Sequence, residues 1–267
     1  MLKRLLVTGA AGGVGKAIRP HLSKLAHQVR LTDIADLGVA NGHEELVRCD
    51  LTDADGVKNL VADCDGIVHL GGVSVEKPWM DILQANIIGT YNLYEAVRAF
   101  RNPRVVFASS NHTIGYYPRT ERIDTDAPRR PDSLYGVSKC FGEDLASLYY
   151  NKFNVETLCV RVGSCFSEPA DARMLATWLS VEDFVSLLRR AFSAPKLACT
   201  VIYGASNNTE SWWDNSKSSF LGWVPEDSSE PWRAEIEARK EQINPASPAV
   251  IYQGGKFVTF SHPDDIN

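Results

Sequence analysis

Short apolar runs alternate with helix-length segments through most of this chain, and that alternation leaves few architectures open. Arg4–Val7, Gln28–Leu31, Glu45–Arg48, Gly66–Leu70, Arg104–Ala108 and Glu156–Val162 read as strands. They are near-continuous in apolar character, as expected of strands covered by helices on both faces. Gly13–Leu25 has apolar positions at Val14, Ile18, Leu22 and Leu25, the spacing of one helix. Thr52–Val61 reads as a helix opened by Thr52 or Asp53 as its cap, and Trp79–Arg101 and Leu134–Lys152 as long helices. Such βαβ units predict an α/β fold, a doubly wound and mostly parallel sheet flanked by helices.

After Gly163 the pattern loosens. Val181–Phe192 is a further helix and Cys199–Tyr203 a further strand, and the tail from Ser206 is rich in Trp, Ser, Glu and Pro. We therefore expect one domain. Residues 1–163 would form mainly a nucleotide-binding core, and 164–267 the last sheet elements with a small substrate-binding lobe. The 267 residues, 44% hydrophobic, suffice for one substantial core. With a net charge of −5 and no Lys/Arg run, a nucleic-acid partner is not expected. No apolar stretch has membrane-spanning length, and the N-terminus runs through a short strand into glycines instead of forming a signal peptide, so a cytoplasmic protein is expected. Six cysteines lack CxxC spacing and read as buried free thiols, and no histidine pair has zinc-ligand spacing, so no metal is assigned.

Two motifs about 120 residues apart carry the chemistry. The first is Thr8-Gly9-Ala10-Ala11-Gly12-Gly13-Val14-Gly15, directly after a strand and opening a helix. Glycines there allow a sharp strand-to-helix turn and close approach of the backbone to a pyrophosphate. Asp33, after the second strand, can accept hydrogen bonds from the adenosine ribose hydroxyls and repel a 2′-phosphate, which selects NAD over NADP. Asp50-Leu51 lies where the adenine edge would rest, and Leu70-Gly71-Gly72-Val73-Ser74 would run under the cofactor.

The second motif is Tyr135-Gly136-Val137-Ser138-Lys139, preceded by Ser109-Ser110 at the end of the fifth strand. Tyr135 and Lys139 share a helix face. A free tyrosine is a poor base at neutral pH, but a nearby ammonium and a cationic nicotinamide both favour the phenolate. Ser110 can hold the substrate oxygen while Tyr135 takes the hydroxyl proton. A second Tyr-x-x-x-Lys, Tyr252 to Lys256, spans Gly254-Gly255 and is not expected to present a helical face.

These residues resemble the extended short-chain dehydrogenases/reductases, the NAD-dependent epimerase/dehydratase family. The likeness runs over Thr8–Gly15, Asp33, Asp50-Leu51, His69–Gly72, Asn86, Phe107–Ser110, Tyr135–Lys139 and Arg161. It implies a Rossmann fold and NAD held by Gly9, Gly12, Gly13, Val14, Gly15, Asp33, Asp50, Leu51, Leu70, Gly71, Gly72, Asn86 and Lys139. Ser110, Tyr135 and Lys139 would be catalytic. The chain departs from the family pattern at Asn111-His112-Thr113 and at Arg161-Val162-Gly163-Ser164-Cys165, and only a short region follows the sixth strand. Within the family it is most similar to the bacterial branch that oxidises the anomeric carbon of galacturonate or glucuronate to an aldarolactone. That implies a sugar-acid substrate met by Ser74, Ser110, Asn111, His112, Tyr135, Ser164 and Arg173, with Arg173 on the carboxylate. The bland alternatives are a loop-capping His112, an Arg173 paired with Asp171 or Glu168, and a Ser164 present for tight packing. Rival activities are a nucleotide-sugar epimerase or dehydratase, a dehydrogenase of another small sugar or alcohol, and a non-catalytic NAD-binding protein. The resemblance also implies a homo-oligomer through Trp79–Arg101 and the Tyr135 helix. Phe141, Leu145, Leu148 and Tyr149, read as exposed apolar residues of that helix, are compatible with a helix-bundle interface.

Overall fold

In the computed structural model, which describes residues 1–101, 103–239 and 244–265, the long apolar runs all enter one sheet. In chain order the elements begin with β1 (Leu2–Thr8), α1 (Gly13–Ile18), β2 (Ala26–Asp33), β3 (Glu44–Arg48), α2 (Ala54–Val61) and β4 (Gly66–His69). Next come α3 (Trp79–Ile82), α4 (Gly89–Ala99), β5 (Arg104–Ser110), β6 (Ile123–Asp124) and α5 (Leu134–Phe153). There follow β7 (Thr157–Val162), β8 (Ser164–Cys165), α6 (Met174–Thr177), β9 (Trp178–Leu179), α7 (Val181–Ser193) and β10 (Cys199–Gly204). The tail adds β11 (Trp213–Asp214), α8 (Arg233–Ala238) and α9 (Pro248–Ile251).

Seven strands lie in the order β10-β7-β5-β4-β1-β2-β3, every pair parallel. Chain order runs outward in opposite directions from β1 and β4, so a crevice opens above their C-terminal ends, where doubly wound sheets bind ligands. Both faces are covered. Leu5 and Val7 of β1 enter a core shared with α1 and α7, while Leu6 enters one shared with α2, α4 and α5. All three are fully buried, which is why the run cannot alternate with polar residues. Each contributes about 2 kcal/mol of transfer free energy.

Three expectations are corrected. Gly13–Leu25 is not one α-helix: the α-helix ends at Ile18, and Arg19–Lys24 continues as a 3₁₀ helix. Pro20 lacks the N–H that an α-turn would send back to Lys16, and its ring would crowd that carbonyl. Trp79–Arg101 is helical through Ala99 but contains a π-turn at Leu83–Ile88, whose wider loop carries the buried Asn86. On α5, Leu145 and Tyr149 are not exposed; they point into the sheet, Phe141 packs half-buried beside them, and of these four only Leu148 is exposed. Asp53 caps α2 by accepting from the Gly56 N–H (3.0 Å).

The tail is stapled onto the sheet. Trp213 stacks on Tyr203 (5.1 Å between centroids) and β11 pairs with β6. Trp223 donates to the Ser186 hydroxyl (2.9 Å), Trp178 packs on Trp232, and Arg119 lies over the Trp212 ring. Gln253, fully buried, accepts from Trp213 Nε1 (2.9 Å) and donates to the carbonyls of Pro118 and Glu121. All six cysteines are unpaired; Cys49, Cys140 and Cys199 are only half-buried. Among the described residues no helix is long and apolar enough to cross a membrane.

Candidate active site

The glycine loop follows from the packing of β1 against the end of β4. Gly9 has φ +68°, and a Cβ on it would lie 2.7 Å from the backbone of Leu70 and Gly71. A Cβ on Gly15 would lie 2.5 Å from the Gly9 carbonyl. Only glycines let the loop and the start of α1 fold this tightly, so a cradle stays open above Gly12, Gly13 and Val14. Asp33 ends β2 against that loop: Oδ2 accepts from the Ala11 N–H and Oδ1 from the Ala35 N–H, both 3.0 Å. Its carboxylate is thus aimed at the cradle, with lone pairs left for ribose hydroxyls. The residues present fit a dinucleotide.

Asp50 is exposed after β3 and accepts from Thr52 N–H and Oγ (2.9 Å each), while Leu51 packs on Gly71 and Gly89. Leu70, Gly71 and Gly72 run beneath the cradle. Thr8 Oγ1 accepts from the Gly71 N–H (3.1 Å) and meets His69 Nδ1 (2.7 Å). Burial pushes His69 down to about 3, so it is neutral there. Asn86 spends its whole amide on protein: it accepts from the Val73 N–H (2.7 Å) and donates to the Val73 carbonyl (2.9 Å) and Ser138 Oγ (2.8 Å). It pins the floor of the cradle to α5.

Ser110 ends β5 at the crevice and accepts from the His112 N–H (3.2 Å). Tyr135 lies in the first turn of α5, one turn before Lys139. A Cβ on Gly136 would fall 2.4 Å from the His112 carbonyl and one on Gly142 2.2 Å from the Phe107 ring, so two glycines allow α5 to lie close on β5. Ser133 Oγ caps α5 by accepting from the Gly136 N–H (2.9 Å), and both Glu76 oxygens accept from the N–H groups of Leu134 and Tyr135 (3.0 Å each). Lys139 Nζ donates to the Ala108 carbonyl (2.8 Å) and lies 5.6 Å from the Tyr135 ring centre. Burial pushes Tyr135 up to about 12, against the Ser110 hydrogen bond, and pushes Lys139 down to about 8. In the protein alone the phenol is therefore raised by burial, and the Lys139 ammonium is turned to the Ala108 carbonyl. Beneath the site Arg161 grips buried Glu143 through two 2.9 Å contacts, and Ser109 donates to Glu143 (2.6 Å).

The remaining wall is built from distant segments. Arg173, before α6, donates through Nε to the Gln253 carbonyl (2.8 Å) and through Nη1 to Ser164 Oγ (3.4 Å). With its amide oxygen turned to Arg173, Asn111 accepts from Nη2 (2.6 Å) and donates to the Val162 carbonyl (3.0 Å). Among the described residues no carboxylate pairs with Arg173; Asp171 caps the Met174 N–H instead. Burial pulls Arg173 down to about 10, and nearby Arg119 adds to the effect. Half-buried and without an ion pair among the described residues, the guanidinium has its charge free to meet an anion. Ser164 also meets Thr177 Oγ1 (3.0 Å), and Ser74 is exposed on the loop between Val73 and Glu76. His112 Nδ1 lies 2.8 Å from Asp132 Oδ2, and its ring stacks on Phe257 at 3.7 Å.

The site thus unites Ser110, Asn111, His112, Tyr135, Lys139, Ser164 and Arg173. Sequence reasoning missed Phe257, Gln253, Glu76 and Asp132. The signal for the first two was Gly254-Gly255: Gly255 has φ +65°, and a Cβ on it would lie 2.7 Å from Arg173 Cδ. The pair marks close approach to the site, while Tyr252 and Lys256 share no helix.

Residues 5–198 match the NAD dependent epimerase/dehydratase family. The uronate dehydrogenase of Agrobacterium fabrum is 58% identical over 257 residues, covering 96% of this chain and 97% of that protein. A glucuronic acid dehydrogenase from Chromohalobacter salexigens superposes with a TM-score of 0.98 at 75% identity, covering 99% of this chain and 100% of that one. A tyrosine-to-alanine variant of the Agrobacterium tumefaciens uronate dehydrogenase, complexed with NAD, superposes at 0.95 with 57% identity over 97% of this chain and 98% of that one. A match of this extent, over a cradle and a Ser/Tyr/Lys group placed as described, makes the chain a member of the NAD dependent epimerase/dehydratase family.

Proposed function

We propose that this protein oxidises the anomeric carbon of a hexuronate, galacturonate or glucuronate, to the aldarolactone with NAD. The observation that carries the reading is Arg173, a half-buried guanidinium with no ion pair among the described residues, in the pocket of Ser110 and Tyr135. Near-full-length likeness to uronate dehydrogenases supports it.

Bound NAD supplies the hydride acceptor and a cationic ring beside the phenol. Gly9, Gly12, Gly13, Val14 and Gly15 hold its pyrophosphate, Asp33 its adenosine ribose, Asp50 and Leu51 the adenine edge, and Leu70 to Gly72 its underside, with Asn86 supporting that floor. Lys139 holds the nicotinamide ribose. Arg173 takes the substrate carboxylate in a two-pronged grip, and Asn111 and Ser164 keep its guanidinium aimed. Ser74 and His112 meet ring hydroxyls. Ser110 donates to the anomeric oxygen and Tyr135 removes its proton, so that oxygen can form the lactone carbonyl. Residues 1–163 act mainly as the nucleotide half and 164–267 complete the sheet and wall the acid pocket. We place the enzyme in the cytoplasm as a homo-oligomer, with Tyr91 on α4 and Val137 and Leu148 on α5 as exposed apolar residues of the shared face.

The test is NADH absorbance after mixing protein and NAD with galacturonate, glucuronate, galactose, glucose and UDP-glucose. Fast signal from the uronates alone is expected. Signal only from neutral sugars would discard the substrate, and no net NADH from any would point to an epimerase.

Asp33→Ala should raise KM for NAD about 10- to 100-fold, as loss of a charged hydrogen bond does, and relax discrimination against NADP. Steady-state kinetics with both cofactors check it, and a wild-type preference for NADP would defeat the assignment.

A further inference from the structure

His112 is held on three sides. Its Nδ1 lies 2.8 Å from Asp132 Oδ2, its ring face lies on Phe257, and its backbone N–H is bound by Ser110 Oγ. The Asp132 side chain is fully buried, and its second oxygen accepts from Ser133 Oγ (2.9 Å), the residue that caps the Tyr135 helix. Asp132 has no room to turn: a Cβ on Gly115 would lie 1.8 Å from its Oδ2, and one on Gly254 2.0 Å from it. Two glycines from segments far apart in the chain are thus fitted around one carboxylate oxygen.

A carboxylate only accepts, so the proton of a neutral His112 resides on Nδ1 and Nε2 is bare. Burial pushes His112 below its ordinary value despite Asp132 and Glu76, with Arg173 acting in the same direction, so the ring is neutral at working pH. Among the described residues no hydrogen bond reaches Nε2. His112 stands two residues from Ser110 and edge-on to Tyr135, 5.8 Å between centroids.

We propose that Asp132 is a positioning residue that locks His112 as a hydrogen-bond acceptor, and that this acceptor reads the sugar hydroxyl on carbon 2, beside the reacting carbon. This rests on the hexuronate reading above. Of the groups around the anomeric carbon, the ring oxygen has no proton and the anomeric hydroxyl gives its proton to Tyr135 in the reading above. The carbon 2 hydroxyl is then the neighbouring donor left for a bare Nε2. The lock therefore selects for a free hydroxyl donor next to the oxidised carbon, independently of the carboxylate at Arg173.

The experiment compares glucuronate with its 2-deoxy analogue on wild type and Asp132→Asn. An asparagine can donate to Nδ1, which moves the imidazole proton to Nε2 and turns the acceptor into a donor. Wild type should lose about 10- to 100-fold in kcat/KM on the 2-deoxy analogue. The variant should be slower on glucuronate by a similar factor, yet lose less than about threefold on removing the hydroxyl. A variant that keeps the full penalty would make Asp132 merely structural and overturn the proposal. If the variant does not fold, heteronuclear NMR of wild type with isotope-labelled histidine reads the tautomer directly, assigned by loss of the signal in His112→Gln. A proton on Nδ1 is expected; one on Nε2 would overturn the lock. Wild type that oxidises no uronate sinks the functional reading instead, and the NMR result still decides the tautomer.

Discussion

Tyr135→Phe is expected to lower kcat for uronate oxidation by about 10²- to 10⁴-fold, the range contributed by a positioned general base. The affinity for NAD and the thermal midpoint should hardly move, because the phenol touches neither the glycine loop nor the core. Its ring packs edge-on to His112, a contact phenylalanine keeps. The pH dependence is the sharper signature. Burial pushes Tyr135 up to about 12 and Lys139 down to about 8 in the protein alone, so at neutral pH the phenol keeps its proton while the ammonium begins to lose its own near pH 8. Loss of the phenol proton is then the unfavourable step, and wild-type kcat/KM should climb on going to alkaline pH. The residual rate of the phenylalanine variant should be flat over the same range. Near-normal turnover in the variant would remove Tyr135 from proton transfer.

Arg173→Ala should raise KM for galacturonate and glucuronate steeply. Truncating one partner of a buried charge pair costs about 2–5 kcal/mol, or roughly 30- to several-thousand-fold. Galactose and glucose lack the carboxylate, so their poor kcat/KM should change little. Arg173→Lys should recover only a part, since an ammonium cannot bridge both carboxylate oxygens while donating to Gln253, Ser164 and Asn111. The measurement is the ratio of kcat/KM between acid and neutral sugar for each variant, with the thermal midpoint recorded because Arg173 also holds the Gln253 carbonyl. An equal loss on both sugar classes would mean that the guanidinium organises the wall and does not meet the substrate.

The nucleotide half was legible because its constraints are local. Gly9 and Gly15 are needed where one turn passes against the next strand, and such needs stay at fixed spacing. The parallel sheet was legible for a similar reason: burial on both faces writes an unbroken apolar run. The acid pocket was only partly legible. Arg173 was named with a pairing to Asp171 or Glu168 as its alternative, and what holds it off Asp171 is its bonding to Gln253 and Asn111, which no short window contains. Asp132 and Glu76 carry no pattern, since one carboxylate near a helix start looks like many others. For Tyr135 the ammonium four residues away is visible in sequence, whereas the burial that raises the phenol in the protein alone is not. Pro20 was visible and should have ended α1 early.

The order of parts along the chain has a consequence for how the protein comes to life on a ribosome. Every strand of the main sheet is present once Gly204 has been made, and with it the glycine cradle and the Ser/Tyr/Lys group. Gln253, which fastens Arg173, and Phe257, which lies on His112, are translated well after that point. The residues of the cradle thus precede, in order of synthesis, those that complete the wall around Arg173 and His112. A dinucleotide that fills the cradle stabilises, by mass action, whatever chain has already folded around it.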